Sequence, residues 1–292
     1  MSEIRKIGII GAGQMGNGIA HVCSLAKYEV VLNDIDNEKL EKSIKTVDQI
    51  LSRQVEKGRI SQKVKDEAFA RVQFSRDLDP LSEVDLVIEA VTEEEDAKRK
   101  VFTTITPLLR PETIVASNTS SISITRLAAA TDRPEHFIGM HFMKPVRAMK
   151  LIELVRGIAT DEQTFLKAKD FAESLGKTVA VSEDFPAFMV NRILMPMINE
   201  AIYTLYEGVG NVESIDTAIR LGANHPMGPL ELADFIGLDI CLAIMQVLYD
   251  GLADTKYRPC PLLVKYVEAG WLGRKSARGF YDYRGEIPIP TR

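Results

Sequence analysis

Cysteine is scarce in this chain of 292 residues, and what there is does not pair. Cys23, Cys241 and Cys260 are odd in number and far apart, with no CxxC and no histidine at zinc-ligand spacing. That argues against a disulfide framework or a structural zinc site, and reduced thiols in a cytoplasmic setting are expected. Long apolar runs are also missing. The greasiest stretch, ICLAIMQVLY, is too short to span a bilayer and reads as a buried helix. IRKIGII near the start has no signal-peptide pattern, so no membrane partner is expected. Positive charge is not in excess. The net charge of −5 argues against a nucleic-acid partner, and an anionic ligand would need local basic residues. Histidine occurs only four times, and there is no internal repeat and no low-complexity segment.

Hydrophobic residues at 46% and charged residues at 26% give enough material for a packed core in one large or two ordinary domains. Short apolar, β-branched runs recur as KIGII, YEVVLND, RVQF, VDLVIEA, TIVASN, HFIGMHF and MKLIELV, and helical patterns separate most of them. This alternation predicts an α/β fold, a mainly parallel Rossmann-type sheet with helices on both faces. After KTVAVSEDFPAF the pattern changes. MVNRILMPMINEAIYTLYEG, VESIDTAIRLG, GPLELADFIGLDICLAIMQVLYDGL and PLLVKYVEAG each read as a helix. The predicted organisation is therefore a nucleotide-type domain over 1–184 and an all-helical domain over 185–292. The second is small and apolar, so a homodimer is expected.

Gly11, Gly13 and Gly16 form G-x-G-x-x-G between a strand and a helix, the context that gives this motif its meaning. Gly11 permits a tight turn, Gly13 lets backbone approach a pyrophosphate, and Gly16 lets helix pack on strand. The helix N-terminus then offers free N–H groups to the phosphates. Contacts are expected from Gly11, Gly13, Gln14, Met15 and Gly16. Asp34 closes the second strand, 18 positions after Gly16. A carboxylate there accepts from the ribose hydroxyls of NAD and repels the extra phosphate of NADP. FAD uses a similar grip and stays open on these residues alone.

Hydride transfer from an alcohol also needs a base for its proton. His21 lies on the first helix, His136 beside Pro134, and His225 in a turn before a helix. His141 ends the strand HFIGMHF, where open α/β sheets place their ligands. A packed core histidine is the competing reading at that position.

SNTSS (117–121), HF followed by PV (141–146), MKLIELV (149–155), PAFMVNRIL (186–194), GANHPMGPLELAD (222–234) and ARGFYDY (277–283) follow in this order. Together with the glycine loop they resemble the L-3-hydroxyacyl-CoA dehydrogenases, of the short bacterial 3-hydroxybutyryl-CoA type, over essentially the whole chain. The resemblance implies NAD as cofactor, an acyl-CoA substrate, and reversible oxidation of a 3-hydroxyacyl-CoA to the 3-ketoacyl-CoA in fatty-acid β-oxidation. It implies that His141 is the general acid/base, that Glu153 orients its ring and favours its protonated form, and that Ser120 contacts the substrate oxygen. Asn191 would help hold the same region, placing the active site between the domains. Glu93, Lys98 and Lys275 match cofactor contacts, and Lys57 matches a contact to coenzyme A. Read alone, Glu93 and Lys98 are part of a solvated charge run, and Lys57 is a solvent-facing lysine.

Two positions depart from the family's usual H-F-x-N-P-V-P. Lys144 replaces the asparagine, and Arg147 follows Val146. Each needs an anion or solvent: a carboxylate at the far end of the acyl group, a phosphate of coenzyme A or NAD, or an acidic residue of the chain itself. Two rivals remain: a dehydrogenase of a sugar acid or carnitine on the same fold, or a protein that binds NAD without turnover.

Overall fold

The structure is a computed structural model that describes residues 4–291. It divides into two compact units, Met1–Phe185 and Pro186–Arg292.

The first unit alternates strand and helix. In chain order it has β1 (Lys6–Ile10), α1 (Gln14–Leu25), β2 (Glu29–Asn33), α2 (Asn37–Glu56), α3 (Gln62–Ala70), β3 (Val72–Ser75) and β4 (Leu86–Glu89). There follow α4 (Glu95–Ile105), β5 (Ile114–Ser117), α5 (Ile124–Ala128), β6 (Phe137–Phe142), β7 (Leu151–Arg156), α6 (Glu162–Ser174) and β8 (Thr178–Glu183). The eight strands pair in the order β3-β2-β1-β4-β5-β6-β7-β8. Strands β1 to β6 are parallel, β7 turns back antiparallel to β6, and β8 runs parallel to β7. The order reverses at β1 and β4, so the crevice outside their carboxyl ends is where a doubly wound sheet takes its ligand.

The strands are apolar on both faces because helices cover both. Ile7, Ile9, Leu32, Leu86, Ile88 and Ile138 are wholly buried in one core that α1 closes with Ile19 and Cys23. The polar-rich α2 needs local help, and Asp36 caps it by accepting from Glu38 N and Lys39 N, a device worth about 1 kcal/mol. Near the end of the unit, Asp184 accepts from Ser123 Oγ at 2.7 Å and from the N–H groups of Ile124 and Thr125 at 2.9 and 2.8 Å. The acid thereby holds the first turn of α5.

The second unit is helical: α7 (Val190–Tyr206), α8 (Val212–Thr217), α9 (Pro229–Ile236), α10 (Leu238–Leu252) and α11 (Pro261–Glu268), with a two-residue hairpin of β9 (Tyr281–Asp282) and β10 (Ile289–Pro290). The single helix expected over GPLELADFIGLDICLAIMQVLYDGL is two. Gly237 takes φ +108 and α9 and α10 meet at 98°. Apolar spacing continues through the glycine, so periodicity alone hides the break. Two buried aspartates tie the unit together. Asp216 accepts from Leu230 N and Glu231 N at the start of α9, and Asp234 accepts from Phe280 N and Tyr281 N. This is the physical content of the GPLELAD and ARGFYDY stretches. Among the described residues no single helix is long and apolar enough to cross a membrane.

Candidate active site

Each motif glycine has a steric reason. Gly11 sits at φ +105, and a Cβ there would lie 2.6 Å from the carbonyl oxygen of Ala90. A Cβ on Gly16 would lie 1.8 Å from the carbonyl oxygen of Gly11, so α1 packs this close to β1 only with glycine. A Cβ on Gly13 would meet nothing within 4 Å; that position is open toward solvent. Gly13 and Gln14 are exposed, Met15 is half-buried, and α1 has neither a side-chain cap nor an acid in its first turn. Its leading amides are therefore left for an anionic ligand.

Asp34 stands one residue beyond β2, nearly buried. Its Oδ2 accepts from Ala12 N at 2.9 Å and its Oδ1 from Asp36 N at 3.0 Å. These bonds fix the carboxylate beside the glycine turn, and each oxygen keeps acceptor capacity for a hydroxyl.

At the ends of β4 and β5 lies a network the charge-run reading does not suggest. Lys98, on α4, is wholly buried. Its Nζ donates to Glu89 Oε1 at 2.7 Å and lies 3.3 Å from Glu93 Oε2. Glu89, also wholly buried, is the register neighbour of Ser117 and accepts from Ser117 Oγ at 2.6 Å and Val91 N at 2.7 Å. Burial pushes the Glu89 carboxyl up, against the pull of Lys98, Ser117 and Val91 N. Glu93 accepts from Thr119 Oγ1 at 2.6 Å, Ser120 N at 2.8 Å and Ser120 Oγ at 3.1 Å. Burial opposes its charge too, but Lys98 and these donors outweigh it and hold the carboxyl below its usual range. One buried cation thus locks the loop after β4 to the loop after β5.

His141 and Glu153 face each other as register partners of the antiparallel pair β6·β7. His141 Nδ1 lies 2.8 Å from Glu153 Oε2. Glu153 is wholly buried between the apolar Ile152 and Leu154, and His141 is 8% exposed. The turn after β5 is joined to this strand end, because Asn118 Oδ1 accepts from Phe142 N at 2.9 Å. The first unit therefore brings His141, Glu153, Ser120, Glu93 and Lys98 to the carboxyl ends of β4, β5 and β6. A histidine oriented by a buried carboxylate, beside hydroxyls and below an anion-binding turn, can move a proton at a bound alcohol or ketone.

Lys57 caps the end of α2 and is exposed. Asn191 is the second residue of α7, and Lys275, in a short turn of the second unit, pairs with Asp239 at 2.5 Å. Lys144 and Arg147 are exposed, and neither makes an ion pair among the described residues. Sequence reasoning missed Glu89, Asn118 and Thr119. The only signal for Glu89 was an acid closing an otherwise apolar strand, with a lysine nine residues on.

Two family models match in tandem: "3-hydroxyacyl-CoA dehydrogenase, NAD binding domain" over residues 6–185 and "3-hydroxyacyl-CoA dehydrogenase, C-terminal domain" over 188–283. A 3-hydroxybutyryl-CoA dehydrogenase of Bradyrhizobium diazoefficiens is 67% identical over 99% of each chain. A probable 3-hydroxybutyryl-CoA dehydrogenase of Bacillus subtilis is 53% identical over 96% of this chain and 98% of that protein. Among solved structures, the (S)-3-hydroxybutyryl-CoA dehydrogenase of Ralstonia eutropha superposes with a TM-score of 0.95 at 48% identity, over 97% of this chain and 100% of that one.

Proposed function

The chain belongs to the 3-hydroxyacyl-CoA dehydrogenase family, and from that we propose that it oxidises (S)-3-hydroxybutyryl-CoA to acetoacetyl-CoA, reversibly, with His141 as the proton carrier. It is an NAD-dependent oxidoreductase. The observation that carries the assignment of His141 is its 2.8 Å bond to the buried Glu153. With Nδ1 committed to the carboxylate, Nε2 on the opposite edge of the ring is the nitrogen that exchanges a proton with substrate. The carboxylate holds the ring's tautomer and orientation, the role an acid plays behind a catalytic histidine.

NAD, when bound, supplies the hydride acceptor. The amides at Gly13 and Gln14 would hold its pyrophosphate, Asp34 its adenosine ribose, and Glu93 its nicotinamide half. Lys98 acts through Glu93 by fixing that carboxylate. Ser120 binds the substrate oxygen, and Asn191, Lys57 and Lys275 are assigned to substrate and cofactor on the family pattern. In oxidation His141 takes the hydroxyl proton, and in reduction the protonated ring returns it to the new alcohol. The direct test is oxidation of the two stereoisomers with NAD. The (S)-thioester should be turned over and the (R)-thioester should not; equal rates would sink the proposal.

Asp34 makes cofactor choice predictable. Two unit charges 4 Å apart near a protein surface repel by about 4 kcal/mol, and a hundredfold preference needs only about 2.7 kcal/mol. The efficiency kcat/KM with NADH should therefore exceed that with NADPH at least about a hundredfold. Similar efficiencies would remove Asp34 from this role.

A homodimer through the second unit is the assembly we favour. Met197, Ala201, Val209, Ile215, Ile219 and Pro229 line an apolar groove of about 490 Å³ there. Ile193, Val209 and Leu221 are each more than two-thirds exposed. A two-fold interface is the commonest way to bury such a surface. Light scattering at micromolar concentration should give twice the mass of one chain, and a stable monomer would count against the interface.

A further inference from the structure

The SNTSS turn (117–121) follows β5, and its side chains divide by direction. Ser117 Oγ donates to Glu89 Oε2 at 2.6 Å, and Thr119 Oγ1 donates to Glu93 Oε1 at 2.6 Å. Ser120 N and Oγ reach the same Glu93 oxygen at 2.8 and 3.1 Å. These bonds draw the turn toward β4. Asn118 reaches the opposite way. Its Oδ1 accepts from Phe142 N at 2.9 Å, on β6, while its own N–H donates to the carbonyl oxygen of Glu89 at 2.8 Å. One half-buried residue therefore joins the carboxyl ends of β4, β5 and β6.

The side-chain bond stands where the backbone ladder gives out. The register of β5 with β6 runs from Val115–Phe137 to Ser117–Gly139. Strand β6 runs on to Phe142, still paired along its other edge with β7, where His141 faces Glu153 and Phe142 faces Ile152. Past Gly139 the strand has no rung to β5, and the Asn118 amide oxygen supplies the acceptor that the Phe142 N–H requires. Phe142 N belongs to the peptide that follows His141. Asn118 thus holds that peptide from one edge of β6, while Glu153 holds the imidazole from the other. An amide suits the place because its oxygen accepts without adding charge to a site that already contains Glu89, Glu93 and Glu153.

We propose that Asn118 is a positioning residue for proton transfer: it sets the end of β6 against the turn after β5, so that His141 and Ser120 converge on one substrate oxygen. The proposal rests on the reading of His141 as the proton carrier and extends it to a residue that acts through the backbone. Ser120 lies two residues after Asn118 and His141 one residue before Phe142, so a single hydrogen bond governs their separation. A misplacement of about 1 Å in such a constellation costs about a hundredfold in rate.

The test compares Asn118→Ala with Asn118→Asp, which keeps an oxygen for Phe142 N. The rate constant for NADH oxidation in a single turnover at saturating acetoacetyl-CoA counts folded sites alone, so a general loss of stability does not move it. In Asn118→Ala it should fall about tenfold to a hundredfold, with NADH affinity unchanged and faster hydrogen exchange at the Phe142 amide. Asn118→Asp should keep that amide protected and turn over at a rate between the alanine variant and wild type. If Asn118→Ala folds poorly, Asn118→Ser, whose hydroxyl is too short for the same bond, takes its place with the same expected direction. An unchanged single-turnover rate in the alanine or serine variant overturns the proposal. Equal losses in Asn118→Ala and Asn118→Asp would assign the effect to the amide nitrogen and also overturn it. A wild-type protein that did not reduce acetoacetyl-CoA would defeat the reading of His141 and this role with it, whereas faster Phe142 exchange in Asn118→Ala would still establish the link between the strand ends.

Discussion

A His141→Gln protein should bind NADH normally and lose about a hundred- to ten-thousandfold in kcat, the range that general acid–base catalysis supplies. Glutamine is nearly the size of histidine and keeps a polar group toward Glu153, so the sheet has no reason to rearrange. What disappears is a nitrogen able to take a proton and return it. The cofactor grip stands on Gly11, Gly13, Gly16 and Asp34, none of which bonds His141. Glu153→Gln should also be severe, because the amide can present a donor to Nδ1 and favour the wrong tautomer. Cofactor affinity is read from quenching of protein fluorescence and turnover from initial rates. A His141→Gln protein that kept a tenth or more of wild-type kcat would show that the proton travels another way.

The second large effect is on stability. Lys98→Met should destabilise the first unit by about 3–5 kcal/mol, because Glu89 is left as a buried charge without its cation. For a unit of this size that is a fall in Tm of roughly 6–20 °C. Adding Glu89→Gln to Lys98→Met should recover much of the loss, since removing both charges is far cheaper than orphaning one. The pH dependence has a definite sign. Burial raises the Glu89 carboxyl already in the presence of Lys98, and in the variant only Ser117 and Val91 N pull it down. A carboxyl raised in the folded state contributes stability below its unfolded pKa and loses it as pH rises through its folded pKa. The Lys98→Met protein should therefore come closest to wild type in mild acid and fall away toward neutral pH. Melting curves across that range check this. A Tm within a degree of wild type at neutral pH would mean that the buried pair does not hold the loops after β4 and β5.

Much of this was legible before any coordinates. Strand–helix alternation and the G-x-G-x-x-G turn specify the sheet and its ligand-binding end, because a parallel sheet covered on both faces leaves apolar strands as its signature. The pairing of His141 with Glu153 was legible only through the family resemblance. Nothing in a twelve-residue separation says that two strands turn antiparallel and bring those positions into register. Lys98 was misleading for a physical reason. It sits in EEEDAK, where composition suggests a solvated helix start, and the ion pairs with Glu89 at the end of the preceding strand and with Glu93 are what offset its burial. The break at Gly237 was hidden by apolar spacing that runs through it.

The central claim is that the strand-end histidine, backed by Glu153 and served by the glycine turn, reduces a 3-ketoacyl thioester at the expense of NADH. Loss of NADH absorbance on mixing the protein with acetoacetyl-CoA tests it directly. The account predicts rapid, stoichiometric oxidation of NADH with formation of (S)-3-hydroxybutyryl-CoA, abolished in His141→Gln. No consumption of NADH by folded wild-type protein that binds the cofactor would contradict it.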